Sequence, residues 1–412
     1  MKKTAIPFAL AAFAAATFAS VATAAATITV DSVVQRWPWN NKLDITYTVT
    51  DGQDVSASQF KRIVFTAVIA GTTYTIDGVT DVGASANSGT HTVTWTAPSG
   101  VLSTTCTMTA AIYSATAPSG DDYLVVDLTT GAIAYEGMLA TQADSNARYN
   151  SGETYKTTKM VLRKVPGGGT YPTGDSANYA SVNSARTWTT DRDYYIGVFP
   201  VTQYQYSIIG ADAGDAPSTR TWWAGNVNLA RLRPVENVSW DDLRLATTAS
   251  TSAIPAVATG GTGTFLQRLN FKTGLYFDLP TEVMFEIAQR AGTTTAYYWG
   301  DTWDANKTVN ADNSGNCTYQ VGSKDPNGWG LYDTAGNVWE LCRDDYTSSV
   351  NMASFEDPFT PYYVENSTTR IVRGGNGYGS SNGPSFRSSN ISSAATTTRA
   401  NNFGFRVALI VD

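Results

Sequence analysis

From Thr27 to Tyr113 the chain alternates apolar and polar side chains with period two, and from Thr158 that rhythm is lost. Successive side chains of a strand point to opposite faces, so period-two runs are strands with one buried face. The runs are Ala26–Val30, Leu43–Val49, Ile63–Ile69, Thr92–Trp95 and Thr105–Tyr113. Turn clusters such as Asp51-Gly52 and Pro98-Ser99-Gly100 separate them. Short strands at this spacing predict a β-sandwich of immunoglobulin type over residues 26–115. Residues 116–157 read as a connector carrying one strand pair, Tyr123–Leu128 and Ala132–Tyr135, then the Ser/Gly/Asp-rich stretch Asn146–Tyr155. From Thr158, strand-like pieces alternate with short amphipathic helices, expected at Thr202–Ile209, Trp240–Ala246, Gly263–Thr273 and Thr281–Arg290. In the last of these Thr281 is an N-cap, and Met284, Phe285, Ile287 and Ala288 form the apolar stripe. Between Ala291 and Asp412 little regular structure is expected. Frequent Trp, Gly and Asn imply that aromatic packing and bound ions hold this part together.

A chain of 412 residues exceeds one ordinary core, since domains average ~150 residues. The charged fraction is 15%, against about 25% in typical proteins, so the surface is mostly uncharged polar. The net charge of −7 and the absence of Lys/Arg runs exclude nucleic acid as a partner. No stretch of the mature chain is apolar enough to span a bilayer. At the N-terminus Lys2 and Lys3 precede an apolar run over residues 5–22 and the small residues Ala22-Thr23-Ala24. That order predicts a signal peptide over residues 1–25 and an exported protein: periplasmic, secreted or on the cell surface. A retained N-terminal anchor is the competing reading. The three cysteines Cys106, Cys317 and Cys342 allow at most one disulfide. A Cys317–Cys342 pair and buried free thiols both remain open. The lone histidine, His91, starts a strand and reads as a solvated edge residue.

Several segments resemble the formylglycine-generating-enzyme (sulfatase-modifying-factor) family, in that family's order. They are Tyr194–Thr202, Arg233–Asp242 with its Val238-Ser239-Trp240 core, Leu279–Ala288, and Tyr298-Trp299-Gly300-Asp301. Next come Gly330–Glu340, which gives the fullest match, Arg373-Gly374-Gly375, and Gly404-Phe405-Arg406-Val407. Pro200 departs from the pattern, standing where the family usually has Glu. The resemblance implies an α+β fold, a compact relative of the C-type lectin fold with little regular secondary structure, over residues 158–412. It also implies a structural calcium ion on Asp333, Gly336, Val338 and Glu340, since carboxylates and main-chain carbonyls are hard oxygen donors. A capped turn with solvated carboxylates is the alternative there. For the Asn310–Asn316 loop, also rich in Asn and Asp, an ordinary polar loop is expected.

The family's oxidases bind copper(I) through two cysteines shortly after Arg-Gly-Gly, because soft thiolates suit that metal. Here residues 376–387 contain no cysteine. A related branch binds iron through histidines, and this chain has one histidine. Neither copper nor iron is therefore expected, and no catalytic residue is assigned. The carboxylate pairs Asp344-Asp345 and Glu282/Glu286 read as turn and helix-face charges. Residues 376–403 are dominated by Ser, Thr and Asn, with Tyr378, Phe386 and the landmarks Arg387 and Arg399. One reading is an ordinary polar loop. The other is a displayed binding surface, because small polar residues with a few aromatics are what paratopes use. The segment also resembles the variable region of proteins diversified by retroelements. On this second reading Asn376, Tyr378, Asn382, Phe386, Asn390, Asn401 and Asn402 contact a protein or glycan ligand. The alternative is an oxidase or other protein-modifying enzyme of the same family with a non-standard site.

Overall fold

The computed structural model describes residues 27–36, 41–50, 61–77, 89–97, 106–114, 121–175, 185–210, 231–245, 263–346, 357–379 and 381–411. The predicted signal peptide lies outside these residues. The described residues fall into two compact units; the first takes 27–114 and Asn270–Tyr276, the second the remainder.

The first unit holds β1 (Thr27–Gln35), β2 (Lys42–Thr50), β3 (Lys61–Ile69), β4 (Thr72–Asp77), β5 (Gly89–Thr96) and β6 (Cys106–Ser114). They form two antiparallel three-stranded sheets, ordered β1-β2-β5 and β4-β3-β6. Every second residue of β2 (Leu43, Ile45, Tyr47, Val49) is buried, as are Ile63, Phe65, Ala67 and Ile69 of β3, all in one apolar cluster. On the other face of the first sheet the hydroxyls of Thr48 and Thr90 pair across strands at 2.9 Å, and those of Thr46 and Thr92 at 3.1 Å. Threonine and valine are branched at Cβ and suit both faces of a pleated strand. Strand β4 had no counterpart in the sequence reading. His91 sits half-buried on the edge strand β5 with its ring 5.4 Å from that of Tyr47.

The second unit is mixed α+β. It begins with β7 (Tyr123–Asp127), β8 (Ile133–Glu136) and α1 (Gln142–Asn150), then β9 (Lys159–Val165), β10 (Thr170–Thr173), β11 (Arg186–Thr189) and β12 (Tyr194–Gly197). Helices follow: α2 (Gln203–Gly210), α3 (Trp240–Arg244), α4 (Phe265–Thr273, whose residues from Asn270 on count with the first unit), α5 (Glu282–Arg290) and α6 (Ala311–Ser314). The chain ends with β13 (Trp339–Asp345), β14 (Thr369–Arg373), β15 (Ser392–Ala395), β16 (Phe403–Gly404) and β17 (Ala408–Ile410). A five-stranded sheet runs β17-β12-β9-β7-β8, and a four-stranded sheet runs β15-β14-β13-β16. Two expectations are corrected here. The strand pair read as a connector is the edge of the five-stranded sheet, because β7 pairs with β9 along its whole length. The stretch after Ala291 contains a second sheet. Strand β13 escaped detection because it buries Glu340, Arg343, Asp344 and Asp345 beside Leu341 and Cys342, which erases the apolar alternation.

The main core packs Tyr123, Val125, Val161, Val165, Tyr194 and Ile196 of the five-stranded sheet against Val283, Met284, Ile287 and Ala288 of α5 and Tyr149 of α1. Thr281 caps α5, accepting from the Met284 amide at 3.1 Å. Every residue of α5 is buried, including Glu282, Glu286 and Arg290.

Candidate ligand-binding surface

The segment after β14 is positioned by charge inside the core. Buried Arg373 donates to Glu286 at 2.5 Å, lies 3.2 Å from Glu282, and donates to the Asn390 carbonyl. Glu286 also accepts from Arg290 at 2.8 Å and from the Gly174 amide at 2.6 Å. A buried ion is tolerated only when paired and hydrogen-bonded, so this cluster fixes β14, α5 and the Asn390 turn to one another. Glu282 and Glu286 are therefore not helix-face charges. Likewise Asp344 is buried and accepts from the amides of Glu282 (2.6 Å) and Tyr362 (2.8 Å). Gly375 has φ of 77°, and a Cβ there would lie 2.7 Å from the Phe386 ring, so the chain turns under that ring only with glycine.

Three of the seven expected contact residues do not reach the surface. Phe386 is wholly buried and stacks on Trp303, with centroids 4.9 Å apart. Asn376 is buried, and its Oδ1 accepts from the Tyr378 amide at 2.7 Å. Asn390 is buried, donates to the Ser385 carbonyl at 3.1 Å and receives Arg373 on its own carbonyl. These three shape the loops instead of facing a ligand. The other four are accessible: Tyr378 is 40% exposed, Asn382 is exposed, and Asn401 and Asn402 are half-buried. The segment's two arginines are paired, Arg387 with Asp175 at 2.6 Å and Arg399 with Asp242 at 2.8 Å. What the loops offer to solvent is mainly hydroxyl, amide and phenol, with the paired Arg399 side chain 43% exposed among them.

Neighbours that the sequence reading missed extend this face. Asn337 holds Tyr319 by both its amide (2.9 Å) and carbonyl (3.1 Å), while its own carbonyl accepts from Gly377 at 2.8 Å. Ser314 donates to the Gly377 carbonyl at 2.8 Å. Tyr319, 41% exposed, and Tyr378 thus flank one asparagine. Two residues on, the Trp339 amide donates to the Asn402 carbonyl at 2.8 Å. Beside Asn382 lies a cluster with half-exposed Tyr298, Trp299 and Trp303. Asn337 stood in a recognisable turn motif, but nothing in the sequence disclosed which distant backbone its amide would grip.

The cysteines stand unpaired. Burial pushes the thiols of Cys317 and Cys342 up, and the Cys317 Sγ donates to the Ser314 carbonyl at 2.8 Å. Burial also raises Glu236 to about 7, against the Thr318 hydroxyl and the Arg233 charge that pull it down.

Asp333, Gly336, Val338 and Glu340 do come together in one turn, with Asp333 at φ 54° and Gly336 at φ 102°. Their oxygens are partly engaged within the chain. Both carboxylate oxygens of Glu340 are taken by Arg406, at 2.6 and 2.7 Å, and the Gly336 carbonyl accepts from the Val338 amide at 2.9 Å. The capped-turn alternative is incomplete, because neither carboxylate is solvated.

Comparison with known proteins places residues 146–410 in the sulfatase-modifying factor enzyme 1-like domain family. Formylglycine-generating enzymes of Thermomonospora curvata and Streptomyces coelicolor are 35% and 36% identical over 115 and 111 residues. Each alignment takes in 24% of this chain, so the chain spans only 37% and 35% of the length of those curated relatives. A serine/threonine-protein kinase pkn1 of Chlamydia pneumoniae is 36% identical over 100 residues, covering 24% of this chain and 15% of the kinase. Among solved structures, Treponema denticola variable protein 1 aligns at 23% identity and TM-score 0.48, over 61% of this chain and 95% of that protein. PvdO from Pseudomonas aeruginosa aligns at 20% identity and TM-score 0.46, over 60% and 93%.

Proposed function

We propose that this chain, which belongs to the sulfatase-modifying factor enzyme 1-like family, is an exported, non-catalytic binding protein that presents an uncharged polar and aromatic surface to a protein or glycan ligand. The observation that carries the reading is the division within residues 376–403. Asn376, Phe386 and Asn390 are spent on holding the loops, whereas Tyr378, Asn382, Asn401 and Asn402 are left accessible on a fixed frame. Anchored loops with accessible amides and phenols lose little conformational freedom on binding. Because Arg387 and Arg399 are paired, binding draws on hydrogen bonds and ring contacts rather than on net charge. The N-terminal sheets act as an immunoglobulin-like spacer, and residues 1–25 direct export. An oxidase role is disfavoured because residues 376–387, where the family's oxidases carry their copper-binding cysteines, contain no cysteine.

The test is a screen of the purified chain against immobilised glycans and extracellular protein fragments. It is repeated with Tyr378, Asn382, Asn401 and Asn402 all replaced by Ala. The expected result is loss of the hits at an unchanged melting temperature. Hits that survive the fourfold replacement, or oxygen uptake with a Cys-containing peptide, overturn the reading.

A further inference from the structure

At the edge of the candidate surface the run Tyr297-Tyr298-Trp299-Gly300 folds back on itself. Tyr297 and Gly300 exchange both backbone hydrogen bonds, at 3.0 and 3.1 Å, and Gly300 takes a φ of 135°. That tight turn lays the Trp299 ring flat on Tyr297, with centroids 4.8 Å apart and planes 10° from parallel. Trp303 lies almost as flat on Phe386, at 15°. Gly383, the neighbour of Asn382, fits against both stacks: a Cβ there would sit 2.6 Å from the Tyr297 hydroxyl and 3.0 Å from Trp303. The Tyr298 hydroxyl donates to the Asp325 carbonyl at 3.1 Å, and the Trp299 indole donates to the Thr302 carbonyl at 3.1 Å. Tyr298, Trp299 and Trp303 are thus fixed, yet each stays partly open to water. A rigid ring has little freedom left to lose on binding.

The groups around the rings select the ligand. Asp301, Thr302 and Asn382 are exposed, and Asp304 is half-buried. The Ala296 amide holds Asp301 at 3.0 Å and the Asn306 amide holds Asp304 at 2.9 Å, each through one carboxylate oxygen. Lys307, the cation of this stretch, is paired with Asp325 at 2.9 Å. Flat aromatic rings therefore lie beside carboxylate, hydroxyl and amide oxygens. A pyranose matches both halves: its C–H face packs on an indole, and its hydroxyls donate to the oxygens. An acidic sugar would meet Asp301 and Asp304 and be repelled. A cation caged between rings is disfavoured by geometry, because Trp299 and Trp303 are in ring contact at a centroid distance of 6.1 Å and leave no gap for one. A protein partner calls for a broad apolar centre. Among the described residues after Ala291 the exposed large apolar side chains are Tyr319, Tyr363 and Tyr378, each of which carries a hydroxyl.

We propose that the platform of Trp299 and Trp303, with Asp301 and Asn382 at its edge, is a subsite for a neutral pyranose unit of a glycan. The assignment rests on the candidate surface being a binding face, and it names the class of ligand. The experiment titrates the purified full chain with cello-, malto-, manno- and chito-oligosaccharides. Oligogalacturonate and tetramethylammonium serve as the acidic and cationic probes. Tryptophan fluorescence reads occupancy, and hydroxyl-radical footprinting reads which residues are covered. The expected result is a saturable signal with at least one neutral sugar, none with the other two probes, and protection of Trp299 and Trp303. Trp303→Ala should weaken that binding about tenfold, the worth of one aromatic contact, while Trp303→Phe, which keeps a ring on Phe386, should retain most of it. Saturation by no neutral sugar, saturation by tetramethylammonium or oligogalacturonate instead, or protection that leaves both tryptophans open overturns the proposal. Footprinting of the wild type decides even where Trp303→Ala fails to fold. Capture of a protein fragment through Tyr378, Asn401 and Asn402 would in those cases leave the wider surface reading standing, and an empty screen would remove both.

Discussion

The two units of this chain solve the problem of a stable interior in opposite ways. In the first, the core is a cluster of Val, Ile, Leu, Phe and Tyr side chains from two sheets, and the Arg36–Asp44 ion pair sits on the outside with side chains 51% and 28% exposed. In the second, Arg373 lies between Glu282 and Glu286, and Arg406 on Glu340, with every one of those side chains 0% exposed. An apolar core tolerates exchange of one hydrophobic residue for another of similar volume. A buried ion-pair network does not tolerate losing one partner, because the remaining charge stays buried. The second arrangement also gives precise, directional anchors. Those are what allow loops with little regular structure, such as residues 376–403, to hold one shape.

The contrast is tested most severely at Arg373. Replacing it with Met leaves Glu282 and Glu286 facing each other inside the core, at an expected cost of about 3–5 kcal/mol. Calorimetry should show a large fall in the transition of the second unit, with that of the first unmoved. A variant as stable as the wild type would show that the network is decorative.

A smaller effect, with a pH signature, is expected at Glu236, where burial raises the carboxyl to about 7. In the unfolded chain this group ionises near the ordinary glutamate value of about 4.3. Below that value both states are protonated and the group has no effect. As pH climbs from there to about 7 the unfolded state sheds its proton first, so folding loses stability. Above about 7 the loss is constant, on the order of 3–4 kcal/mol for a shift of this size. Glu236→Gln should therefore stabilise the protein at pH 8 and leave it unchanged at pH 4 (both about), as read by denaturant midpoints. An equal shift at both pH values would mean that packing, not ionisation, is responsible.

Next in size is the cap of α5. Thr281→Ala removes the acceptor for the Met284 amide and a donor to the Pro358 carbonyl, at an expected cost of about 1–2 kcal/mol in a urea titration. A cost within a few tenths would show that buried α5 is held by its ion pairs and needs no cap.

The same contrast explains what could be read from the sequence. The runs Leu43–Val49 and Ile63–Ile69 lie inside β2 and β3 because apolar alternation is a local signal. Helix α5 was found from Thr281 and its stripe for the same reason. What failed was everything that depends on a buried charge finding a distant partner. β13 reads as polar because Glu340, Arg343, Asp344 and Asp345 are buried in it, and each is satisfied from elsewhere in the chain. Glu286 looks like an exposed helix residue until Arg373, eighty-seven positions on, is placed beside it. The candidate surface was legible as a segment but not residue by residue. Whether Asn376 or Asn382 faces solvent is decided by a loop path that Arg373, Gly375 and Phe386 set.

The smallest expected effect closes the comparison from the other side. Arg36 donates to Asp44 at 2.8 and 2.9 Å, which is better geometry than Arg373 achieves with Glu282 at 3.2 Å. If distance determined worth, the surface pair would outrank the Arg373–Glu282 contact and fall just short of the Arg373–Glu286 bond at 2.5 Å. Water screens it, however, and holding two long side chains in register costs rotamer freedom, so an exposed pair contributes about 0–1 kcal/mol. Thr94 also donates to Asp44 at 2.7 Å, so the carboxylate keeps a partner when the arginine is gone. Arg36→Ala should shift the melting temperature of the first unit by no more than about 2 °C, and the shift should vanish in high salt. A salt-insensitive loss approaching that of Arg373→Met would mean that geometry rather than burial governs these pairs, and the distinction between the two units would fall.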